Sequence, residues 1–252
     1  MRYSYQYNYT DNNVAQRSMY DEEGRQRKAD KIIAVLEDYF TDLSGLSVLD
    51  MSCSTGMLTK AFSPVFKWVH GIDIDNSAVE FAKRNHTTEN LDFYVMDALD
   101  TSFSDNQFDV IICNQMYEHV PDSEKLLDEI YRLLVPGGVC YFGATSRLKI
   151  IETHYGRIPF LSYLPKPLSH IYLRLLGKGN YYYETLYTYW GLKKLVSDFD
   201  IIDYTVKVIA EPEKFYVSNI INSGTLKQSI ALVLSRYGYV ILPGYIWLLK
   251  KK

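Results

Sequence analysis

The sequence predicts an α/β fold built on a doubly wound, mostly parallel β-sheet. Short apolar runs alternate with amphipathic helical segments from Leu46 to Gly143, as is typical of parallel strands covered by helices on both faces. Aspartates stand at the ends of three successive runs. The stretch VLDMSCSTGML from Val48 to Leu58 joins an apolar run ending in an acid to a small-residue turn that opens a helix. Nucleotide sites in such sheets begin in this way.

The periodicity of the apolar residues places each element in turn. From Glu23 to Phe40 these residues recur at helical spacing behind Asp21 and Glu22, and acids suit a helix N-terminus. Five strands are predicted after this helix: Leu46 to Leu49, Phe66 to Ile72, Leu91 to Val95, Phe108 to Cys113 and Val139 to Gly143. Three helices are predicted between them: Met57 to Phe62, Ser77 to Arg84 and Ser123 to Leu134. The turn VPGG precedes the fifth strand. Further along come predicted helices from His170 to Leu176, Gly191 to Ser197 and Leu226 to Ser235, and predicted strands from Ile201 to Ile209 and Tyr245 to Leu249.

The regular alternation stops at Ser146. Residues 147–189 contain three prolines and a tyrosine cluster, and an inserted segment of this length is typical of a functional lid. We therefore expect a single domain over residues 1–252, with a flexible tyrosine-rich tail at residues 1–19 and the lid at residues 147–189.

Composition narrows the function classes. The net charge is −3, with 27 basic and 30 acidic residues, so the chain has no general attraction for nucleic acid. Cys53, Cys113 and Cys140 lie inside apolar runs, which favours buried thiols in a reducing compartment and neither a disulfide nor a metal site.

The two ends of the chain predict a cytoplasmic protein. The first ten residues lack the apolar core of a signal peptide. The tract YGYVILPGYIWLLKKK is interrupted by Pro243 and Gly244 and is too short for a membrane helix, so we expect a core strand there. At most, Trp247 and the terminal lysines contact a membrane surface.

Acids at the strand ends indicate a ligand site. Asp50 follows the first predicted strand, Asp73 and Asp75 the second, and Asp97 the third. Ligands of open α/β sheets bind beyond the carboxyl ends of the strands. A carboxylate after the second strand suits the paired hydroxyls of a ribose, and one after the third can accept a hydrogen bond from an adenine amino group. Each acid alone is typical of a helix cap, but the joint placement favours a nucleotide-like cofactor.

Five segments resemble, in order and spacing, the class I S-adenosylmethionine-dependent methyltransferases. They are VLDMSCSTGML, HGIDIDNSAVEFAKRN, LDFYVMDALD, FDVIICNQMYEHVPDSEKLLDEIYRLLVPGG and CYFGATSR. The most similar branch includes the ubiquinone and menaquinone biosynthesis methyltransferases, which act on small molecules. The resemblance covers residues 20–146. It implies a Rossmann-like, seven-stranded sheet with an antiparallel last strand, and S-adenosylmethionine as the cofactor.

The resemblance also implies roles for the matched residues. The methionine end of the cofactor would be lined by Asp50, Ser52, Ser54 and Gly56. Asp73 would bind the ribose, Ile74 would lie beside the adenine, and the adenine edge would contact Asp97 and Ala98. Asn114 and Gln115 would lie near the methionine amino group or the transferring methyl. His119 matches the family as well, and Gly137 and Gly138 are expected to form a turn and not to bind ligand.

The cofactor loop departs from the family pattern, which has glycine where Ser52 and Ser54 stand. A non-glycine residue at positive φ costs about 1–2 kcal/mol, and its Cβ obstructs close approach of the backbone to a ligand. A serine hydroxyl can hydrogen-bond the cofactor carboxylate in return, and Gly56 is retained. We expect a working loop with altered affinity for the cofactor.

The acceptor side of the reaction offers two candidate catalytic residues. Methyl transfer from a sulfonium is an in-line displacement that depends on positioning, and it needs a general base only if the acceptor arrives protonated. The candidates are His119 in YEHV and His154 in IETHYG, within the lid beside Glu152. Arg147 and Arg157 are candidates for clamping an anionic acceptor.

The predicted function is methyl transfer to a small or lipid-like acceptor, and a homodimer is open because the tyrosine cluster can pair with its copy. Two alternatives remain at this point. A non-catalytic methyltransferase-fold partner subunit is favoured by the two serines and the tyrosine-rich segments. An NAD-dependent oxidoreductase also joins such a turn to an acid, but it requires the missing glycines and leaves Asp97 unexplained.

Overall fold

The computed structural model describes residues 21–252, so the predicted tail at residues 1–19 lies outside the described residues. The strands are β1 (Ser47–Asp50), β2 (Trp68–Asp73), β3 (Leu91–Val95), β4 (Phe108–Asn114), β5 (Leu134–Thr145), β6 (Ile151–Glu152), β7 (Ile158–Pro159), β8 (Phe199–Asp203) and β9 (Gly244–Lys251). The α-helices are α1 (Glu22–Tyr39), α2 (Met57–Lys60), α3 (Asn76–Asn85), α4 (Ser123–Leu133), α5 (Lys166–Leu175), α6 (Tyr189–Leu195), α7 (Thr205–Ala210) and α8 (Leu226–Tyr237).

Seven strands form one sheet in the order β3-β2-β1-β4-β5-β9-β8. Strands β1 to β5 pair in parallel, whereas β9 runs antiparallel to both β5 and β8. The predicted fold class, including the antiparallel last strand, is confirmed. Because β1 pairs with β2 on one side and with β4 on the other, the strand order reverses there, and the crevice beyond the carboxyl ends of β1 and β4 is the expected ligand site.

Helices cover both faces of the sheet, which explains the continuous apolar runs. Successive side chains of a strand point to opposite faces. In β1, Leu49 packs into one core layer together with Ile111 and Phe142. Its neighbour Val48 packs into the other layer together with Val110. The central strands are therefore buried on both sides and hold their carboxyl-end loops in fixed positions.

One predicted strand was wrong in its second half. The segment from Ile201 to Ile209 contains β8 only as far as Asp203 and then turns into α7. The Asp203 carboxylate accepts a hydrogen bond from the backbone N–H of Thr205 at 2.8 Å. This contact satisfies an exposed donor in the first turn of the helix, and it outweighs the strand preference of the branched residues that follow.

The predicted VPGG turn lies inside β5. Phe108 pairs with Leu134 and Val110 with Val139, so residues 135–138 bulge out opposite Asp109. Gly137 takes a φ of +79° in this bulge, a conformation that favours glycine. The two glycines thus serve the backbone at the amino end of β5, far from the carboxyl edge of the sheet.

The core strand expected at the end of the chain is present as β9, and the position of Trp247 does not fit the alternative contact with a membrane surface. The Trp247 side chain is only 1% exposed and stacks against Phe142 and Tyr245 in the core. Among residues 21–252, no helix combines the length and the apolar character needed to cross a bilayer.

The segment between β5 and α6, residues 147–188, is called the cap. It contains the β6–β7 hairpin, a short 3₁₀ turn at Leu161–Tyr163 and α5, around a small core of Ile158, Leu161, Leu173 and Tyr182. Its two ends are joined to each other by the backbone hydrogen bond from Arg147 N–H to Tyr187 O at 2.8 Å. A second backbone hydrogen bond, from Thr185 N–H to Glu118 O at 2.9 Å, ties the cap to the loop that follows β4.

Candidate functional site

The loop after β1 contains four of the predicted cofactor residues. Ser54 adopts a φ of +50° and Gly56 a φ of +77°, whereas Ser52 has no positive φ. A Cβ on Gly56 would lie 2.7 Å from Phe93 Cζ, so the retained glycine is required both for its φ and for close packing of α2 on the sheet. Of the two serines that replace the family's glycines, only Ser54 occupies a strained position.

The Ser54 side chain presents a hydrogen-bonding group to the site. Its hydroxyl oxygen is buried and has no hydrogen-bond partner among residues 21–252. A buried hydroxyl without a partner is unfavourable by about 1–3 kcal/mol. The loop therefore has a polar atom in place that a ligand with a matching group can satisfy.

Two carboxylates join this loop to the ends of β1 and β2. Asp73 accepts hydrogen bonds from Ser54 N–H at 2.9 Å and from Asp75 N–H at 3.0 Å. Asp50 accepts from the Thr59 hydroxyl at 2.6 Å. Burial raises the pKa of Asp50 to about 6, against the hydrogen bonds from Thr59 and Ser52, and burial likewise raises the pKa of Asp73. A positive charge nearby would stabilise the ionised form of both carboxyl groups.

The remaining predicted cofactor residues follow β2, β3 and β4. Ile74 is half-buried beside Asp73, and Ala98 is buried beside Asp97, whose carboxylate caps the next turn through Leu99 N–H at 2.9 Å. Asn114 is half-buried, and its Oδ1 lies where a Cβ on Gly143 would stand, at 2.1 Å. Gln115 is exposed and takes a φ of +55°. All these residues stand at the carboxyl edge of the sheet.

The two candidate catalytic histidines face each other across the boundary between body and cap. Their ring centroids are 4.9 Å apart and nearly perpendicular. Burial, with the charges of His154 and Lys149, lowers the pKa of His119 to about 3. Burial also opposes the charged form of His154, but the hydrogen bond and charge of Glu152 outweigh it and raise the pKa of His154. The two imidazoles therefore have different proton affinities.

A buried polar cluster surrounds these histidines. Glu152 is fully buried and binds Lys149 Nζ at 2.7 Å, His154 Nδ1 at 2.6 Å and the Tyr182 hydroxyl at 2.8 Å. The carboxyl of Glu184 lies 3.7 Å from His119 Nδ1.

Sequence reasoning gave no role to four residues of this cluster: Glu118, Lys149, Tyr182 and Glu184. Glu118 is 1% exposed next to His119. The one sequence signal that could have pointed to Glu118 is the presence of an acid inside an otherwise apolar stretch. Lys149 and Tyr182 reach the cluster only through the fold of the cap.

The two candidate arginines lie apart from this cluster. Arg147 and Arg157 are both exposed, and Arg147 Nε donates to Ser162 O at 3.2 Å. Arg157 adopts a φ of +65° in the turn between β6 and β7. The two arginine side chains do not converge on a common binding site.

Comparisons with known proteins agree with this geometry. Residues 49–142 match the family described as "Methyltransferase domain". A ubiquinone biosynthesis O-methyltransferase of Psychrobacter arcticus is 32% identical over 162 residues, which are 62% of this chain and 59% of that protein. One from Thiobacillus denitrificans is 33% identical over 108 residues, 42% of this chain and 47% of that protein. The matched regions thus span less than two thirds of these relatives.

Two solved structures share the fold. The plantazolicin methyltransferase BpumL, in complex with a monoazolic desmethylPZN analog and SAH, has a TM-score of 0.62 at 18% identity, covering 100% of this chain and 95% of that chain. The phosphoethanolamine N-methyltransferase 2 of Haemonchus contortus, in complex with S-adenosyl-L-methionine, has a TM-score of 0.51 at 19% identity, covering 87% and 51%. The Rossmann-like fold expected from the sequence is confirmed, and so is the expected resemblance to methyltransferases: residues 49–142 match the methyltransferase domain family.

Proposed function

We propose that the chain transfers a methyl group from S-adenosylmethionine to a small-molecule acceptor held between the cap and the loop after β4. The buried, unpartnered hydroxyl of Ser54 carries this proposal. A loop that had lost its ligand would gain by burying an apolar side chain there. The relatives named as ubiquinone biosynthesis O-methyltransferases support a hydroxyl group as the methyl acceptor.

The residues after β1 and β2 fit this cofactor. When bound, S-adenosylmethionine supplies a methyl group already activated by a positive sulfonium. Asp73 uses one lone pair on each oxygen for Ser54 and Asp75 N–H and has others left for a ribose diol. The raised pKa values of Asp50 and Asp73 reflect buried negative charge, which a cationic ligand offsets. Ser54 and Asp97 would hold the carboxylate and adenine ends.

The residues of the acceptor side orient the second substrate and exclude water. The cap covers the loop after β4 through Thr185 N–H and Glu118 O. The rings of His119 and His154 face each other across this boundary with their centroids 4.9 Å apart, and we assign them to the acceptor hydroxyl. Exposed Leu168, Ile171 and Leu175 on α5 support a lipid-like acceptor. A homodimer stays a prediction, and size-exclusion chromatography with light scattering tests it.

Ligand-induced stabilisation tests the cofactor assignment. Thermal unfolding is measured with S-adenosylmethionine, with S-adenosylhomocysteine and with NAD as the negative control. Ligand at about 100 times its Kd adds about 2.7 kcal/mol to the free energy of unfolding. Asp73→Asn should lose most of this shift relative to its own ligand-free melting temperature. Asp100→Asn, an exposed acid three residues beyond Asp97, is the matched control and should keep it.

Each outcome decides between the functions. Stabilisation by the two sulfur ligands, followed by formation of S-adenosylhomocysteine with phenolic acceptors, supports the methyltransferase. No stabilisation at millimolar ligand would favour the non-catalytic partner subunit, and stabilisation by NAD alone would favour an oxidoreductase.

A further inference from the structure

The cluster at the boundary between body and cap brings three metal-binding side chains together. Glu118 and His119 come from the loop after β4, and His154 comes from the cap. One ligand atom from each, a carboxylate oxygen and two ring nitrogens, lies within 4.8 Å of the others. The rings of the two histidines are 4.9 Å apart between centroids.

Each histidine has a carboxylate at its Nδ1. For His154 this is Glu152 at 2.6 Å, and for His119 it is Glu184 at 3.7 Å. Donation of the Nδ1 proton to Glu152 places the lone pair of neutral His154 on Nε2. Glu152 is itself held by Lys149 and Tyr182. Carboxylates that orient the far nitrogen of a histidine are a regular feature of metal sites in proteins.

Glu118 supplies an independent observation. It is 1% exposed, and neither of its carboxylate oxygens forms a hydrogen bond of ordinary geometry with residues 21–252, although the Thr145 hydroxyl lies nearby. One oxygen of Glu184 is also buried without a partner in this part of the chain. Buried carboxylates of this kind are strongly unfavourable unless a cation or several donors satisfy them.

Three carboxyl groups and two lysines lie in or beside the cluster. The carboxyl groups are those of Glu118, Glu152 and Glu184, and Lys149 Nζ binds Glu152. The second ammonium group, that of Lys166, contacts the backbone oxygens of Tyr182 and Glu184. Carboxylates this close to a pair of imidazoles favour a metal cation between them.

We propose that Glu118, His119 and His154 bind a divalent transition-metal ion, with Glu152 orienting His154 through Nδ1 and the Glu184 carboxyl group lying beside His119. Two imidazoles and one carboxylate suit Zn²⁺, Mn²⁺, Fe²⁺ or Co²⁺, whereas Mg²⁺ and Ca²⁺ prefer oxygen ligands. Metal–ligand distances near 2.1 Å place tetrahedral ligand atoms about 3.4 Å apart. The ligand atoms here lie within 4.8 Å of one another, so they must close by up to about 1.4 Å on binding.

A metal ion here would join the body to the cap. Binding it should stabilise the docked cap, because its ligands come from both sides of the boundary. Its role toward the acceptor rests on the proposed function: a metal ion lowers the pKa of a bound hydroxyl, so neither histidine would then act as a free base.

Cobalt(II) titration tests the site without any need for methyl transfer. Full-length protein without a polyhistidine tag is stripped with chelator and titrated with Co²⁺ while the visible d–d absorption is recorded. We expect saturation at one ion per chain, displacement by Zn²⁺ and a higher melting temperature. His154→Gln and Glu118→Gln should abolish the absorption. Glu152→Gln should weaken binding by about 10- to 100-fold, as for other residues that orient a metal ligand.

A matched control separates metal binding from cap folding. His170 lies in the cap outside the cluster, and its Nδ1 accepts from Tyr182 N–H at 3.0 Å; His170→Gln keeps an acceptor there and should bind Co²⁺ as the wild type does. Absence of Co²⁺ absorption in the wild type, or its retention in His154→Gln with an unchanged melting temperature, would overturn the proposal. S-adenosylmethionine binding is measured on the same proteins. If the protein binds cobalt but not S-adenosylmethionine, the metal site stands and the proposed function is refuted. If it binds S-adenosylmethionine but not cobalt, only the metal site is refuted.

Discussion

Replacing Ser54 by glycine should stabilise the ligand-free protein. Ser54 has a φ of +50°, and its buried hydroxyl has no partner within residues 21–252. Glycine relieves a left-handed conformation worth about 1–2 kcal/mol and removes an unsatisfied group worth about 1–3 kcal/mol. Against this stands a loss of about 0.5–1 kcal/mol from the greater freedom of glycine in the unfolded chain. We expect a net gain of about 2 kcal/mol.

Two companion variants separate strain from hydrogen bonding. Ser54→Ala keeps the Cβ at positive φ and removes only the hydroxyl, so its stability should lie between those of the wild type and Ser54→Gly. Ser52 has no positive φ, so Ser52→Gly should lose about 0.5–1 kcal/mol. Denaturant unfolding of the ligand-free proteins measures all three, and a gain of 2 kcal/mol corresponds to about 4–8 °C in Tm.

Affinity for the cofactor should change in the opposite sense. If the Ser54 hydroxyl binds the cofactor, Ser54→Ala loses a hydrogen bond of about 1 kcal/mol and binds S-adenosylmethionine about fivefold more weakly by calorimetry. A Ser54→Gly protein no more stable than the wild type would refute the strain argument. Unchanged affinity in Ser54→Ala would refute the role given to the hydroxyl.

Three further predictions concern the same edge of the sheet. The folded-state pKa of Asp50 is about 6 and its usual value is 3.8, so the folded state keeps this proton to higher pH than the unfolded state does, and stability falls by about 3 kcal/mol as the pH rises from about 3 to about 7; Asp50→Asn should flatten this slope in pH-dependent unfolding, and an unchanged slope would contradict the assignment. Gly56→Ala puts a Cβ 2.7 Å from Phe93 at a φ of +77° and should lower the free energy of unfolding by at least about 2 kcal/mol, which a denaturation midpoint near that of the wild type would disprove. Gly143→Ala places a Cβ 2.1 Å from Asn114 Oδ1 and should displace that flexible amide, weakening S-adenosylmethionine binding more than stability; equal losses of both would count against a ligand role for Asn114.

The sheet and its ligand edge could be predicted from the sequence because both depend on local patterns. The strand Leu91–Val95 was predicted with its observed bounds, and the first three buried runs are each followed by an acid. The error from Ile201 to Ile209 has a local cause as well, since the Asp203 carboxylate accepts a hydrogen bond from Thr205 N–H where the chain turns from strand to helix, within a run that otherwise favours a strand. Whether Ser52 or Ser54 carries the strained φ could not be predicted, because the conformation of a loop depends on the strands it joins.

The cluster around His119 and His154 needed the structure, because its members are distant in sequence. The contact between His119 and Glu184 depends on a backbone hydrogen bond one residue away from each, from Thr185 N–H to Glu118 O. Glu118 is 1% exposed beside the docked cap. Docking of the cap therefore includes the desolvation of a carboxyl group, and a cation bound by Glu118 and the two histidines, as proposed above, would offset that cost.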